Sequence, residues 1–225
     1  MDRARGLRLG RKRQNECLHL PLRRAELLFS RCLAESEPKT AGAKFCPRSR
    51  RVGSEGWDLW VESAGAEKTR NVLAADYRAI DESEWEVLRV ENGIPRWGRE
   101  LTPEIIPPEA NLQARAIDYE KGCYIGQEVI SRIKMSGQIN KRLCGLVSVN
   151  DSPLIPGMRL ASGTEERKEV GWVTSAAQSQ SLGKEIGLGY VKRGFNSTGS
   201  RLEAFILEDP MVTARLEIVD LPFVR

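Results

Sequence analysis

From Asn140 onward, six short apolar or alternating runs recur between glycines, prolines, asparagines and serines. They are Leu143 to Val149, Met158 to Ala161, Val170 to Ala176, Ile186 to Val191, Leu202 to Leu207 and Ala214 to Val219. Each is shorter than an ordinary helix, and an alternating run puts successive side chains on opposite faces of a strand. Short strands at regular spacing leave unpaired edges unless the sheet closes on itself. The pattern therefore predicts a small closed β-barrel over residues 140–225.

The chain ahead of the barrel reads differently. Trp57-Asp58-Leu59-Trp60-Val61 alternates apolar and charged residues and predicts a strand. Residues 64–80 suit a helix. A second helix has a start signal at Ser83, with Glu86 three residues on to complete a capping box, and stops at Gly93 and Pro95. Pro103, Pro107 and Pro108 mark a loop, and a short helix is expected from Glu109 to Ile117. The fold class is thus α+β, with a mixed domain over 52–139 followed by the barrel.

Composition narrows the classes open to such a chain. Of 225 residues 40% are hydrophobic and 29% charged, enough for a sizeable core. No apolar run approaches the roughly 18 to 20 residues that span a bilayer. Five cysteines at positions 17, 32, 46, 123 and 144 show no CxxC spacing and suggest a reducing compartment, and His19 alone offers little for a zinc site. The net charge of +4 hides a split: residues 1–51 carry 14 Lys and Arg against 5 Asp and Glu, and the remainder 21 against 26. Residues 1–51 are read as a basic, disordered segment containing a short helix within 21–34. Such a segment suits a nucleic-acid contact, a targeting peptide or no folded role at all, and Asp2 and the lack of serine before Ser30 argue against targeting.

The residues with most chemical promise run from Lys121 to Arg132. Two glycines, Gly122 and Gly126, mark a turn, and Gln127, Glu128, Val129, Ile130 and Ile133 begin an amphipathic helix. Cys123 then lies just upstream of a helix N-terminus, whose positive end, with Lys121, favours the thiolate form. The plainer reading is a small apolar residue in a tight turn. Gln127 and Arg132 are candidates to brace the turn, Glu128 suits the first helical turn, and Cys144 reads as packing. Arg89 and Glu91, two apart near the end of their helix, do not share a face. They suit either a solvated surface or a ligand site, the arginine holding a carboxylate and the glutamate accepting from an amino-pyrimidine ring. Trp57, Trp60, Trp85, Trp97 and Tyr124 read as core before they read as a stacking platform for a flat ring.

Lys121-Gly122-Cys123-Tyr124-Ile125-Gly126-Gln127-Glu128, followed by Ser131-Arg132, resembles the signature of the folate-binding YgfZ family, relatives of the glycine-cleavage T-protein. Leu88-Arg89-Val90-Glu91-Asn92-Gly93, Pro107-Pro108-Glu109-Ala110, Gly171-Trp172-Val173-Thr174-Ser175 and Leu188-Gly189-Tyr190-Val191 fit the same family in the same order. The resemblance implies a partial T-protein-like folate domain ahead of a C-terminal barrel. It implies tetrahydrofolate or a derivative as ligand, held by Arg89, Glu91, Tyr124, Gln127 and Arg132, with Cys123 and Lys121 as the working pair. It also implies an accessory role in iron-sulfur cluster assembly or repair, with transient cluster contact, cluster-dependent enzymes as partners and an indirect effect on tRNA modification. The family's compartment is the cytoplasm, or the mitochondrial matrix in eukaryotes. A folate-dependent aminomethyltransferase is the alternative, and a module with a basic arm on nucleic acid a third reading.

Overall fold

In the computed structural model of the chain, the residues described are 15–21, 43–46, 48–52, 54–74, 78–163, 168–207, 209 and 213–224. They fall into two compact units, residues 1–89 and 90–225. The division comes inside a helix, after Arg89, and not at the 139/140 boundary expected from sequence texture.

The first unit is built on strand β4 (Ser54–Glu62), which contains the predicted Trp57 to Val61 run. It pairs antiparallel with β1 (Asn15–Pro21), β2 (Ala43–Phe45) and β3 (Arg48–Val52). Apart from Cys46, the described parts of residues 1–51 are thus strands, where disorder was expected. A nine-residue strand has a row of peptide groups to satisfy on each side, and β1 supplies partners for seven of them, Asn15 opposite Glu62 through Pro21 opposite Gly56. The helix expected within 21–34 lies outside the described residues. Beyond β4, a 3₁₀ turn leads into α1 (Ala66–Leu73), half the length predicted for 64–80. Among the described residues of this unit, Leu59, Val61, Ala66 and Leu73 are the buried apolar ones.

Helix α2 (Glu82–Glu91) begins two residues earlier than the Ser83 cap predicted. Asp81 is the capping residue: its Oδ1 accepts the Glu84 N–H at 2.8 Å, and Glu84 Oε2 accepts the Asp81 N–H at 3.0 Å. Ser83 serves the cap indirectly, donating its hydroxyl to Asp81 Oδ1 at 2.6 Å. The reciprocal pair is the capping box itself, moved two residues upstream because a carboxylate accepts more strongly than a hydroxyl.

The second unit contains the predicted barrel. β5 (Lys141–Ser148), β6 (Arg159–Ser162), β7 (Glu169–Ser179), β8 (Lys184–Lys192), β9 (Arg201–Phe205) and β10 (Thr213–Val219) close in the order β10-β5-β8-β7-β6-β9. Cys144, Leu146, Leu160, Val173, Val191, Leu216 and Ile218 belong to the larger buried cluster. β8 shows why the strands did not read as simple alternation. Ile186, Leu188 and Tyr190 are buried in a second cluster with Val90 and Leu143, packed by Ile105, Trp172 and Leu221. The intervening Gly187 and Gly189 let neighbouring strands approach. A Cβ at Gly189 would stand 2.7 Å from Leu146 Cδ1, and one at Gly171 would stand 2.0 Å from the Tyr190 carbonyl oxygen. Residues 90–109 thus cover one outer face of the barrel instead of ending a separate domain. The helix expected over 109–117 is reduced to α3 (Gln113–Ala116), behind a series of turns.

Candidate functional site

The turn carrying Cys123 is held by local polar contacts. Asp118 Oδ1 accepts the backbone N–H groups of Glu120 at 2.9 Å and Lys121 at 3.2 Å, which sets the entry of the loop. Gly126 adopts φ 88°, a left-handed conformation that a Cβ disfavours, and α4 (Gln127–Ser136) starts directly after it. Gln127 Oε1 accepts the Tyr124 N–H at 3.3 Å, so this side chain does brace the turn. Cys123 is exposed and unoxidised. It sits upstream of a helix N-terminus that no side chain caps.

Two of the expected neighbours behave differently. Lys121 makes no hydrogen bond or ion pair with Cys123; its ammonium lies over the Tyr124 ring, 4.6 Å from the centroid. Arg132 makes no hydrogen bond or ion pair with the turn residues 121–126; i, i+4 spacing on α4 gives it Glu128 as partner, Nη2 to Oε1 2.8 Å, with both side chains exposed. Glu128 is therefore a surface partner in the first helical turn. Cys144 is buried in the barrel, and its thiol donates to the Arg142 carbonyl at 3.5 Å, so it forms no disulfide with Cys123. Burial pushes the Cys144 thiol up from its ordinary 9.0 to about 11.

Arg89 and Glu91 are both buried, each 3% exposed, which removes the solvated-surface reading. Arg89 points its Nε and Nη2 edge at Glu86, at 2.9 and 2.7 Å, so this edge of the fork is filled from its own helix. The i, i+3 spacing of Glu86 and Arg89 is visible in the sequence; Glu86 was instead assigned to the cap. Glu91 Oε1 accepts the Ser179 hydroxyl at 2.6 Å, and Ser179 accepts the Leu182 N–H at 3.1 Å. The second oxygen of Glu91 has no partner among the described residues. Ser179 lies 88 positions further along the chain, and no local signal could have found it.

Two further carboxylates are buried in this unit. Glu100 accepts the Ser175 hydroxyl at 2.6 Å and the Arg96 N–H at 3.0 Å, and its own carbonyl accepts the Tyr190 hydroxyl at 2.9 Å. Burial, with the Glu100 carboxylate beside it, pushes the Tyr190 phenol well above its ordinary range. Glu109 lies 3.7 Å from Lys141 Nζ, which also reaches over the Trp172 ring. Trp172 is half-buried against the second cluster and tilted on Tyr190 at 5.4 Å between centroids. Trp97 is exposed, so it is not core. The Trp57 and His19 side chains lie outside the described residues. Among the described residues no group of three His, Cys, Asp or Glu could hold a metal ion, and no helix is long and apolar enough to cross a membrane.

Comparison with known proteins bears first on the barrel. Residues 141–225 match the glycine cleavage T-protein C-terminal barrel domain. An aminomethyltransferase of Moorella thermoacetica is 32% identical over 212 residues, covering 91% of this chain and 56% of that protein. One from Desulforamulus reducens is 29% identical, over 79% of this chain and 48% of that protein. The chain spans about half the length of these curated relatives. The crystal structure of the glycine cleavage system aminomethyltransferase T from Bartonella henselae superposes with a TM-score of 0.78, over 93% of this chain and 60% of that one. At 21% identity this likeness establishes the fold. The T-protein-like kinship expected from the motifs is therefore supported, and the α+β fold ending in a closed barrel is shown.

Proposed function

We propose that this chain binds a reduced folate and presents Cys123 as a working thiol in iron-sulfur cluster assembly or repair, acting on tRNA modification only through the enzymes it supports. The observation that carries the reading is the exposed thiol at the mouth of α4, in a turn built by Asp118, Gly126 and Gln127. An accessible sulfur beside a helix N-terminus is placed to meet a partner's cluster or disulfide. In this reading the contact is a passing one, and a cluster is cargo. The partners are then assembly proteins or cluster-dependent enzymes, met in the cytoplasm or the mitochondrial matrix.

The folate half draws on the likeness to aminomethyltransferases and on Glu91. Its second carboxylate oxygen, buried and without a partner among the described residues, suits the N–H groups of an amino-pyrimidine ring. Tyr124 and Gln127 belong to the cysteine turn and suit the same ligand less directly. Arg132, committed to Glu128 on the surface, does not fit it. A tetrahydrofolate titration of the full chain tests this half: Glu91→Gln should weaken binding about tenfold, the loss of one hydrogen bond to a charged group, and wild-type protein that does not bind sinks it. Cys123→Ala in a strain lacking a family member tests the other half. Failure to restore growth with the fold intact is expected; full restoration removes the thiol from the mechanism.

The names of the relatives favour a second reading, a folate-dependent aminomethyl transferase. Release of ammonia and methylene-tetrahydrofolate by the purified chain from tetrahydrofolate and an aminomethyl donor, unaffected by Cys123→Ala, would establish it over the first.

A further inference from the structure

A cleft of about 410 Å³ opens beside the C-terminal half of α4 and holds three cations that nothing among the described residues neutralises. Lys134 comes from α4, Arg142 from the start of β5 and Arg193 from the connection between β8 and β9. The Arg193 N–H donates to the Asn140 carbonyl at 2.9 Å, which fixes that connection beside the entry to β5. The Lys134 and Arg142 side chains meet neutral groups only. Lys134 Nζ lies 4.2 Å from the centroid of the Tyr119 ring, and Arg142 Nε donates to Asn111 Oδ1 at 2.6 Å. Asn111 is itself anchored, donating Nδ2 to the Leu143 carbonyl at 2.6 Å, with its backbone in the left-handed region at φ 58°. Arg142 is thereby aimed, with its Nη groups left over.

Lys134 alone would be explained by its place in the last turn of α4, where a cation meets the free carbonyls. Arg142 and Arg193 have no such reason. Three like charges lining one cleft repel one another, and an anion between them converts that cost into attraction. The cleft's volume falls in the ordinary range for small-molecule sites, and guanidinium forks match carboxylate and phosphate oxygens equally well.

We propose that this cleft binds a small oligoanion, a molecule with carboxylate or phosphate charges at two or more points, through Lys134, Arg142 and Arg193. The site is independent of the folate reading. The test is calorimetric titration of the full chain at low salt with tripolyphosphate in one arm and tri-γ-glutamate in the other, which separates the two sources. Saturable binding is expected in at least one arm. The double variant Lys134→Gln/Arg193→Gln, which removes two exposed side chains without touching the Asn111 anchor, should weaken it by at least about tenfold. Lys184→Gln, an exposed cation outside the cleft, should leave it unchanged, and circular dichroism should be the same for all. No saturable binding below about 1 mM in either arm, or equal weakening by Lys184→Gln, overturns the proposal.

Discussion

Replacing Ser179 by alanine isolates the contact on which the buried Glu91 depends. The substitution removes the 2.6 Å hydrogen bond to Oε1, and with it the acceptor for the Leu182 N–H. A hydrogen bond to a charged group contributes about 1.5–3 kcal/mol, and a backbone contact about 1 more. A loss of about 3 kcal/mol follows, equivalent to a melting point lower by about 6–12 °C for a chain of this size. Ser175→Ala is the matched comparison. It removes an equally short bond to Glu100, yet Glu100 retains the Arg96 N–H, so the cost should be nearer 1–2 kcal/mol, about that of one ordinary bond. Urea melts followed by near-ultraviolet circular dichroism measure both, with an unchanged slope showing that only stability moved. Adding Glu91→Gln to Ser179→Ala should recover part of the loss, because a neutral amide is less costly to bury unpaired than a carboxylate. A loss below about 0.5 kcal/mol for Ser179→Ala, the range of an ordinary surface change, would refute the reasoning.

Gly171→Ala should destabilise the barrel by at least about 3 kcal/mol, the upper range of overpacking, because the new Cβ meets a backbone carbonyl that cannot give way; a soluble variant with an unaltered urea midpoint would contradict the packing. Alkylation with iodoacetamide followed by peptide mapping should modify Cys123 in the folded chain and reach Cys144 only after unfolding, and equal labelling of the two would contradict their burial. Since the folded pKa of Cys144 is raised, its protonated thiol contributes stability in full below pH 9.0, and that contribution is lost as pH rises through about 11. Urea midpoints across this window should fall less steeply for Cys144→Ala than for wild type, and parallel slopes would exclude the assignment. The Ser83 hydroxyl and the Glu84 N–H hold the Asp81 carboxyl below its ordinary 3.8, so its help to α2 is present above 3.8 and fades as pH falls through the lower folded value. Ser83→Ala should move the Asp81 carbon resonance to titrate nearer 3.8; an unmoved titration would show that the hydroxyl is idle.

Much of the fold was legible along the chain because strands and caps are local. All six runs after Asn140 became barrel strands, and Trp57 to Val61 became part of β4, since alternation and turn residues act over a few positions. The errors have causes of both kinds, one local and one distant. Asp81 outcompeted Ser83 as the cap, and residues 15–21 became a strand only because β4 offered an edge. Of the candidate site, the Cys123 turn and its Gln127 brace were visible in sequence, since donor and acceptor lie three residues apart. Arg132 was misplaced because the same four-residue spacing that could aim it at the turn gave it Glu128.

What sequence alone determined was the set of elements and the chemistry available at each: a barrel, a capped helix, a thiol ahead of a helix. What only the tertiary structure decided was which polar groups meet across long separations. Ser179 reaches Glu91, Ser175 reaches Glu100, and Lys134, Arg142 and Arg193 share one cleft. Propensity and periodicity act over one or two turns of chain, whereas burying a carboxylate or gathering like charges depends on closing the barrel. That closure sets residues scores of positions apart within hydrogen-bond distance, and no local pattern encodes the pairing.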